Sequence, residues 1–189
     1  SQLRMVLSLD PSRYRQLKTT LPYFTCGIFN PPYRKTENFG FIEHFVADYD
    51  HLDDNEITTE SLKSRLIADE QVEMLFASPS GRGLKVMFRL SERCYDRVRF
   101  SMFYKVFISA FSSRYGISAL ADSRTSDVTR ACFLSADEEA WYNPNALPVK
   151  MSAYIDFDSP RQILEANILN REQKKETSVK EWESATGEI

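Results

Sequence analysis

The feature that most constrains this chain is a change of hydrophobic period that recurs between residues 41 and 135. Phe41 to Asp50 is an apolar, aromatic run ending in acids and predicts a buried strand. From Thr58 to Ala68, Leu62, Leu66 and Ile67 fall at helical spacing, with Thr58 or Thr59 as cap. Val72 to Ser78 predicts a second strand. In Leu84 to Leu90, Leu84, Val86, Phe88 and Leu90 alternate with Lys85, Met87 and Arg89, the period of a third. The turn Pro79-Ser-Gly-Arg-Gly83 joins these two strands as a hairpin. Cys94 to Tyr115 predicts a long helix stopped by Gly116, and short strands follow at Ile117 to Leu120 and Arg130 to Ser135. The predicted order is strand, helix, strand, strand, helix, strand: a βαββαβ unit in an α+β fold.

That order is the arrangement of ferredoxin-like, or RNA-recognition-motif-like, folds, and it fixes no function. Flanking it are N-terminal and C-terminal extensions. Residues 11–19 predict a helix with Asp10 as N-cap and Pro11 at its first position. Leu21 to Arg34, with Pro22, Gly27, Pro31 and Pro32, predicts irregular or edge structure. Residues 1–150 are expected to form the functional domain. Residues 151–189 are expected to hold one helix (160–170) and a charged, disordered tail linking to a further domain.

Of the 189 residues, 42% are hydrophobic and 27% charged, a globular composition that excludes wholesale disorder. No apolar run approaches the roughly 20 residues of a membrane-spanning helix, so no membrane association is expected. Cys26, Cys94 and Cys132 are too few and scattered for a disulfide scaffold, which points to the cytoplasm. The net charge of −3 hides segregation. Residues 43–73 carry ten acids against two bases, and residues 82–130 carry ten bases against four acids. A basic face beside an acidic pocket fits that pattern, as do two solvated faces without a partner.

Asp48 and Asp50 sit i, i+2 at a strand end, so both carboxylates share one face and Tyr49 takes the other. Such a pair is able to share divalent cations, or simply to end a strand in solvent. Asp122 follows a predicted strand and is the candidate third carboxylate. Asp127 reads as a local cap or a partner for Arg130. In Ser78-Pro-Ser-Gly-Arg-Gly-Leu-Lys85, the two glycines expose backbone amides suited to phosphate, with Ser80 and Arg82 at hand. Lys85 is offset by one from Leu84 and Val86 and faces the other side of the sheet. Arg130 is a candidate phosphate ligand and Arg124 a weaker one. Arg93, Arg97, Arg99 and Lys105 read as a solvated helix face, or as a template-binding one. Of the two histidines, His44 reads as packed and His51 as exposed or supporting the carboxylates. Tyr23, Phe24, Phe29 and Tyr33, beside Arg34 and Lys35, read first as core packing and second as a base-stacking cluster.

Taken in order, these segments resemble the archaeo-eukaryotic primase superfamily, which includes the primase–polymerases of plasmids, phages and mobile elements. Phe45-Val-Ala-Asp48-Tyr-Asp50 is similar to its first motif, Ser78 to Lys85 to its second, and Ala119-Leu-Ala-Asp122 followed by Arg130 to its third. Leu21 to Phe29, Asp122 to Arg130 and Phe133 to Asn145 resemble a branch known as the VirE N-terminal domain. The resemblance implies a primase–polymerase core and a metal-dependent DNA primase/polymerase, a nucleotidyltransferase of a mobile element or phage. It implies Mg2+ or Mn2+ on Asp48, Asp50 and Asp122, nucleoside triphosphate on Ser80, Arg82, Lys85 and Arg130, a single-stranded DNA template, and often a fused helicase. Lys85 stands where the superfamily usually has histidine; it keeps the charge but changes reach and titration range. Two other readings compete: a catalytically degenerate nucleotide- or single-stranded-DNA-binding module on the same fold, and an unrelated docking domain, which would let the three acids diverge.

Overall fold

The structure, a computed structural model, describes residues 2–50, 52, 57–169 and 171. It is an α+β arrangement built on a five-stranded antiparallel sheet. The elements are α1 (Gln2–Leu9), α2 (Pro11–Lys18), β1 (Tyr23–Thr25), β2 (Gly27–Phe29), β3 (Phe39–Tyr49), α3 (Thr59–Leu66), β4 (Met74–Ala77), β5 (Leu84–Cys94), α4 (Arg97–Tyr115), β6 (Ala131–Phe133) and β7 (Trp141–Tyr142). The large sheet runs β2-β3-β5-β4-β7, and β1 pairs with β6 in a separate two-stranded ribbon.

Local chemistry sets the helix ends. Asp10 accepts a hydrogen bond from the Arg13 amide with Pro11 in the first turn, as the sequence predicts. Thr58 caps α3 by accepting from the Ser61 amide at 3.0 Å. Asp96 caps α4 through the Val98 and Arg99 amides, and Gly116 closes it in the left-handed region at φ 66°. On α4, Phe100, Phe103, Phe107 and Phe111 recur at three- and four-residue spacing and are all buried. They pack on Phe45 and Phe88 of the sheet, ring centroids 4.9–6.1 Å apart. Leu62 and Leu66 of α3 complete the same core. One face of the sheet is therefore sealed by helices. Residues beyond 150 join this core too, through Ile155 and Ala166, and residues 160–169 are helical.

Several expectations need correction. Ile117 to Leu120 is not a strand: Ser118–Leu120 is a 3-10 turn, and Ala121 alone makes a bridge to Tyr49. The last strand shortens to β6 and leaves the central sheet for β1, so the position beside β3 is taken by β2. A βαββαβ unit is thus present only as far as β3, α3, β4, β5 and α4. Arg93 and Cys94 belong to β5 rather than to the helix, and Lys105 is buried rather than solvated. The helix α1 and the strand β7 had no counterpart in the sequence reading. His51, Asp53, Asp54, Glu56 and the tail from residue 172 lie outside the described residues, as does the Arg124 side chain.

Candidate functional site

Alternation along β3 puts Phe45, Ala47 and Tyr49 into the helix-covered core and Val46 and Asp48 on the opposite face. The Tyr49 hydroxyl is held there by Ser112 at 3.0 Å. Asp48 pairs in register with Lys85 of β5, so the two side chains stand side by side on that second face. The Lys85 ammonium donates to Asp48 Oδ2. Both are more than nine-tenths buried, at 8% and 7% exposure. The other carboxylate oxygen, Asp48 Oδ1, is buried with no hydrogen-bond partner.

The other two acids arrive by main-chain contacts. The Asp122 amide donates to the Asp48 carbonyl at 2.8 Å, and the Asp50 amide donates to the Leu120 carbonyl at 3.1 Å. These bonds stitch the loop after α4 onto the end of β3. The Arg130 guanidinium donates to Asp122 Oδ2 at 3.2 Å and pairs with that acid, not with Asp127. Asp127 instead caps its own turn through the Thr129 amide and hydroxyl, each at 2.9 Å.

The 78–83 turn folds over Asp50. A Cβ on Gly83 would meet Asp50 Oδ1 at 2.6 Å and the Tyr49 carbonyl at 2.7 Å, so only glycine admits this approach. Gly81 sits at φ 77°. Ser80 Oγ is 2.9 Å from Ser78 Oγ and accepts from the Arg82 amide at 3.2 Å, so it shapes the turn. Arg82 is exposed.

Burial pushes the Asp48 carboxyl above the usual range, and Asp50 and Asp122 push it further against the pull of Lys85. Both acids are thus near enough to be felt electrostatically. Burial works against the Lys85 ammonium, but Asp48, Cys132 and Asp50 outweigh it and the lysine titrates higher than normal. A cavity of about 30 Å³ opens beside the pair, lined in part by Asp48, Lys85, Arg130, Thr125, Cys26 and Cys132. That is room for one or two waters.

Some participants carried no sequence signal. Tyr104 of α4 donates its hydroxyl to the Val46 carbonyl at 3.1 Å and touches Thr125. Thr125 in turn donates to the Asp122 carbonyl at 2.7 Å, fixing the loop that bears the third acid. Tyr14, the buried residue of α2, sends its hydroxyl under the turn near Ser80. His44 is only half-buried and faces Glu73 at 3.4 Å, so it is not a packed core residue.

Among the described residues, no three His, Cys, Asp or Glu side chains are grouped so as to hold a metal ion. The donor chemistry still suits a hard cation, because Asp48 Oδ1 lacks a partner and the negative charges of Asp50 and Asp122 push the Asp48 carboxyl up.

An antiparallel α+β domain with a paired acid–base cluster on the sheet face opposite its helices is the class these features define. The chain belongs to the BT4734-like, N-terminal domain family, whose model matches residues 16–142 and so spans every strand from β1 to β7. No curated protein and no solved structure matches it. No helix among the described residues is long and apolar enough to cross a membrane.

Proposed function

We propose that this domain is a metal-dependent nucleotidyltransferase, the DNA primase–polymerase domain of a mobile-element or phage replication protein. The observation that carries the reading is Asp48: a carboxylate at 8% exposure, with Oδ1 unpartnered and with Asp50 and Asp122 near enough to raise its pKa. Leaving a buried acceptor unmade costs about 1–3 kcal/mol, which a purely structural residue would avoid. The order of the three acidic and basic segments within residues 16–142, and their resemblance to archaeo-eukaryotic primases, supports the same reading.

In this reading Asp48, Asp50 and Asp122 hold Mg2+ or Mn2+, with Asp48 Oδ1 as the oxygen that Lys85 leaves unused. Such an ion would supply neutralisation of phosphate charge and a lowered pKa for a bound hydroxyl. Lys85 and Arg130 supply the cationic side of a triphosphate site; contrary to the sequence expectation, the Ser78, Gly81 and Arg82 amides are already bonded within the 78–83 turn and are not on offer to phosphate. A nucleotide is far larger than the 30 Å³ cavity, so it lies at the mouth, where Arg130 is 45% exposed. The partners are nucleoside triphosphates, a single-stranded DNA template and, in a longer chain, a helicase domain. The free cysteines fit the reducing cytoplasm, where replication takes place.

A second reading, a catalytically degenerate nucleotide- or single-stranded-DNA-binding module, rests on a specific observation. Two of the three acids are already met by bases of the chain itself, Asp48 by Lys85 and Asp122 by Arg130. Mg2+- or Mn2+-dependent incorporation on primed and unprimed single-stranded DNA separates the two. The wild type is expected to incorporate nucleotides, and Asp48→Ala/Asp50→Ala to lose at least a hundredfold. Product on the unprimed template assigns priming. A folded wild type that binds DNA and incorporates nothing selects the degenerate module.

A further inference from the structure

The β1–β6 ribbon has two faces of different purpose. Its inner face, Phe24 and Cys132, packs with Cys26 on Val46 and Phe76 of the large sheet. Its outer face places Tyr23 directly opposite Phe133, ring centroids 6.1 Å apart and nearly perpendicular. Tyr23 is 50% exposed and the neighbouring Leu134 is 48% exposed. Core packing therefore explains Phe24 but leaves Tyr23 unexplained.

A cation stands over each ring. The Arg34 guanidinium carbon is 5.0 Å from the Tyr23 centroid, and that side chain is anchored by a 3.2 Å bond to the Thr129 carbonyl. Lys18 Nζ, at the end of α2, is 5.9 Å from the Phe133 centroid. Neither cation has a carboxylate partner among the described residues. Arg130 immediately precedes β6, about 10 Å from Phe133 at the usual strand rise, and it leads to Asp122 and the cavity.

Aromatic faces with unneutralised cations beside them, on a ribbon that runs into the candidate site, match what an unpaired strand needs. Its bases stack on rings or guanidinium planes, and its phosphates take up the cations. Duplex DNA hides its base faces and gains only the second term. We infer that the outer face of the β1–β6 ribbon is a single-stranded DNA binding surface, with Tyr23 and Phe133 stacking bases and Lys18 and Arg34 meeting phosphates. The choice of DNA rests on the function proposed above; the placement of the surface does not.

Fluorescence anisotropy with a labelled oligo-dT and a labelled duplex of equal length tests it. The wild type is expected to prefer the single strand. Tyr23→Ala/Phe133→Ala is expected to weaken that binding at least tenfold. Tyr23→Ala alone, at a half-exposed position, gives a smaller loss and guards against misfolding of the double variant. Lys18→Gln/Arg34→Gln is expected to make the plot of log affinity against log salt shallower by about 1.4, two charges at roughly 0.7 each. Unchanged affinity in the folded Tyr23 variants, equal or tighter binding of duplex, or no binding by the wild type overturns the inference. A wild type that binds through Tyr23 but incorporates no nucleotide removes the transferase reading and leaves the surface standing. Incorporation with an unchanged template KM in Tyr23→Ala does the reverse.

Discussion

The two faces of the central sheet are made from alternate residues of the same strands, yet they obey different rules. Toward α3 and α4, Phe45, Tyr49, Leu84, Val86 and Phe88 are 0–1% exposed and satisfied by one another. Toward the β1–β6 ribbon, the same strands offer Asp48, Lys85, Met87, Arg89 and His44. The first face buries apolar surface at roughly 25 cal/mol per Å² and carries the stability. The second buries charges, whose mutual attraction at best balances the cost of leaving water. One face holds the fold; the other spends stability to keep reactive groups in place.

The sharpest way to break that comparison is to change neighbours on β5. Phe88→Ala on the helix side is expected to lose about 3–5 kcal/mol in urea unfolding. Lys85→Met, three residues earlier and facing the other way, leaves Asp48 buried without its base. The loss is expected to be about 2–4 kcal/mol at pH 7, bounded because the carboxyl escapes by taking up a proton. That loss shrinks as pH falls, since a neutral carboxyl needs no cation. Asp48→Leu/Lys85→Met is expected to recover most of the stability while removing the proposed metal and phosphate ligands. If the double variant is as unstable as the single one, the second face contributes more to the fold than argued.

The last effect is absent at neutral pH and appears only in alkali. Burial pushes the Cys26 thiol up to about 12 and the Cys132 thiol up to about 11. The unfolded chain releases these protons first. Their stabilisation is complete below about pH 8.5 and is lost as pH rises through those folded values, at roughly 1.4 kcal/mol per pH unit and thiol. Thermal melts between pH 8 and 11 are expected to fall less steeply for Cys26→Ala/Cys132→Ala than for the wild type. Parallel slopes would show that the ribbon's inner face opens before the thiols titrate.

The period-2 pattern of Leu84 to Leu90 was enough to place Lys85 opposite the core, and Asp48-x-Asp50 was enough to put both acids on one face. Those inferences concern one strand at a time. What the sequence could not convey is pairing across long separations. Tyr23 meets Phe133 and Ala121 meets Tyr49 through register, which no local composition encodes. The run Ile117 to Leu120 misled because four apolar residues fit a short strand as well as a buried turn. Here Gly116, left-handed after α4, turned the chain into a 3-10 conformation instead. Tyr104 was hidden for another reason. On a helix whose apolar stripe is already aromatic, one hydroxyl among five buried rings carries no spacing of its own.

Asp122 is set in place by its amide on the Asp48 carbonyl, and its loop by Thr125. Neither bond uses the carboxylate. A single-codon change at residue 122 would therefore remove the acid, and its pair with Arg130, without touching either main-chain bond. Under the proposed function, passage between transferase and silent binder would require no refolding.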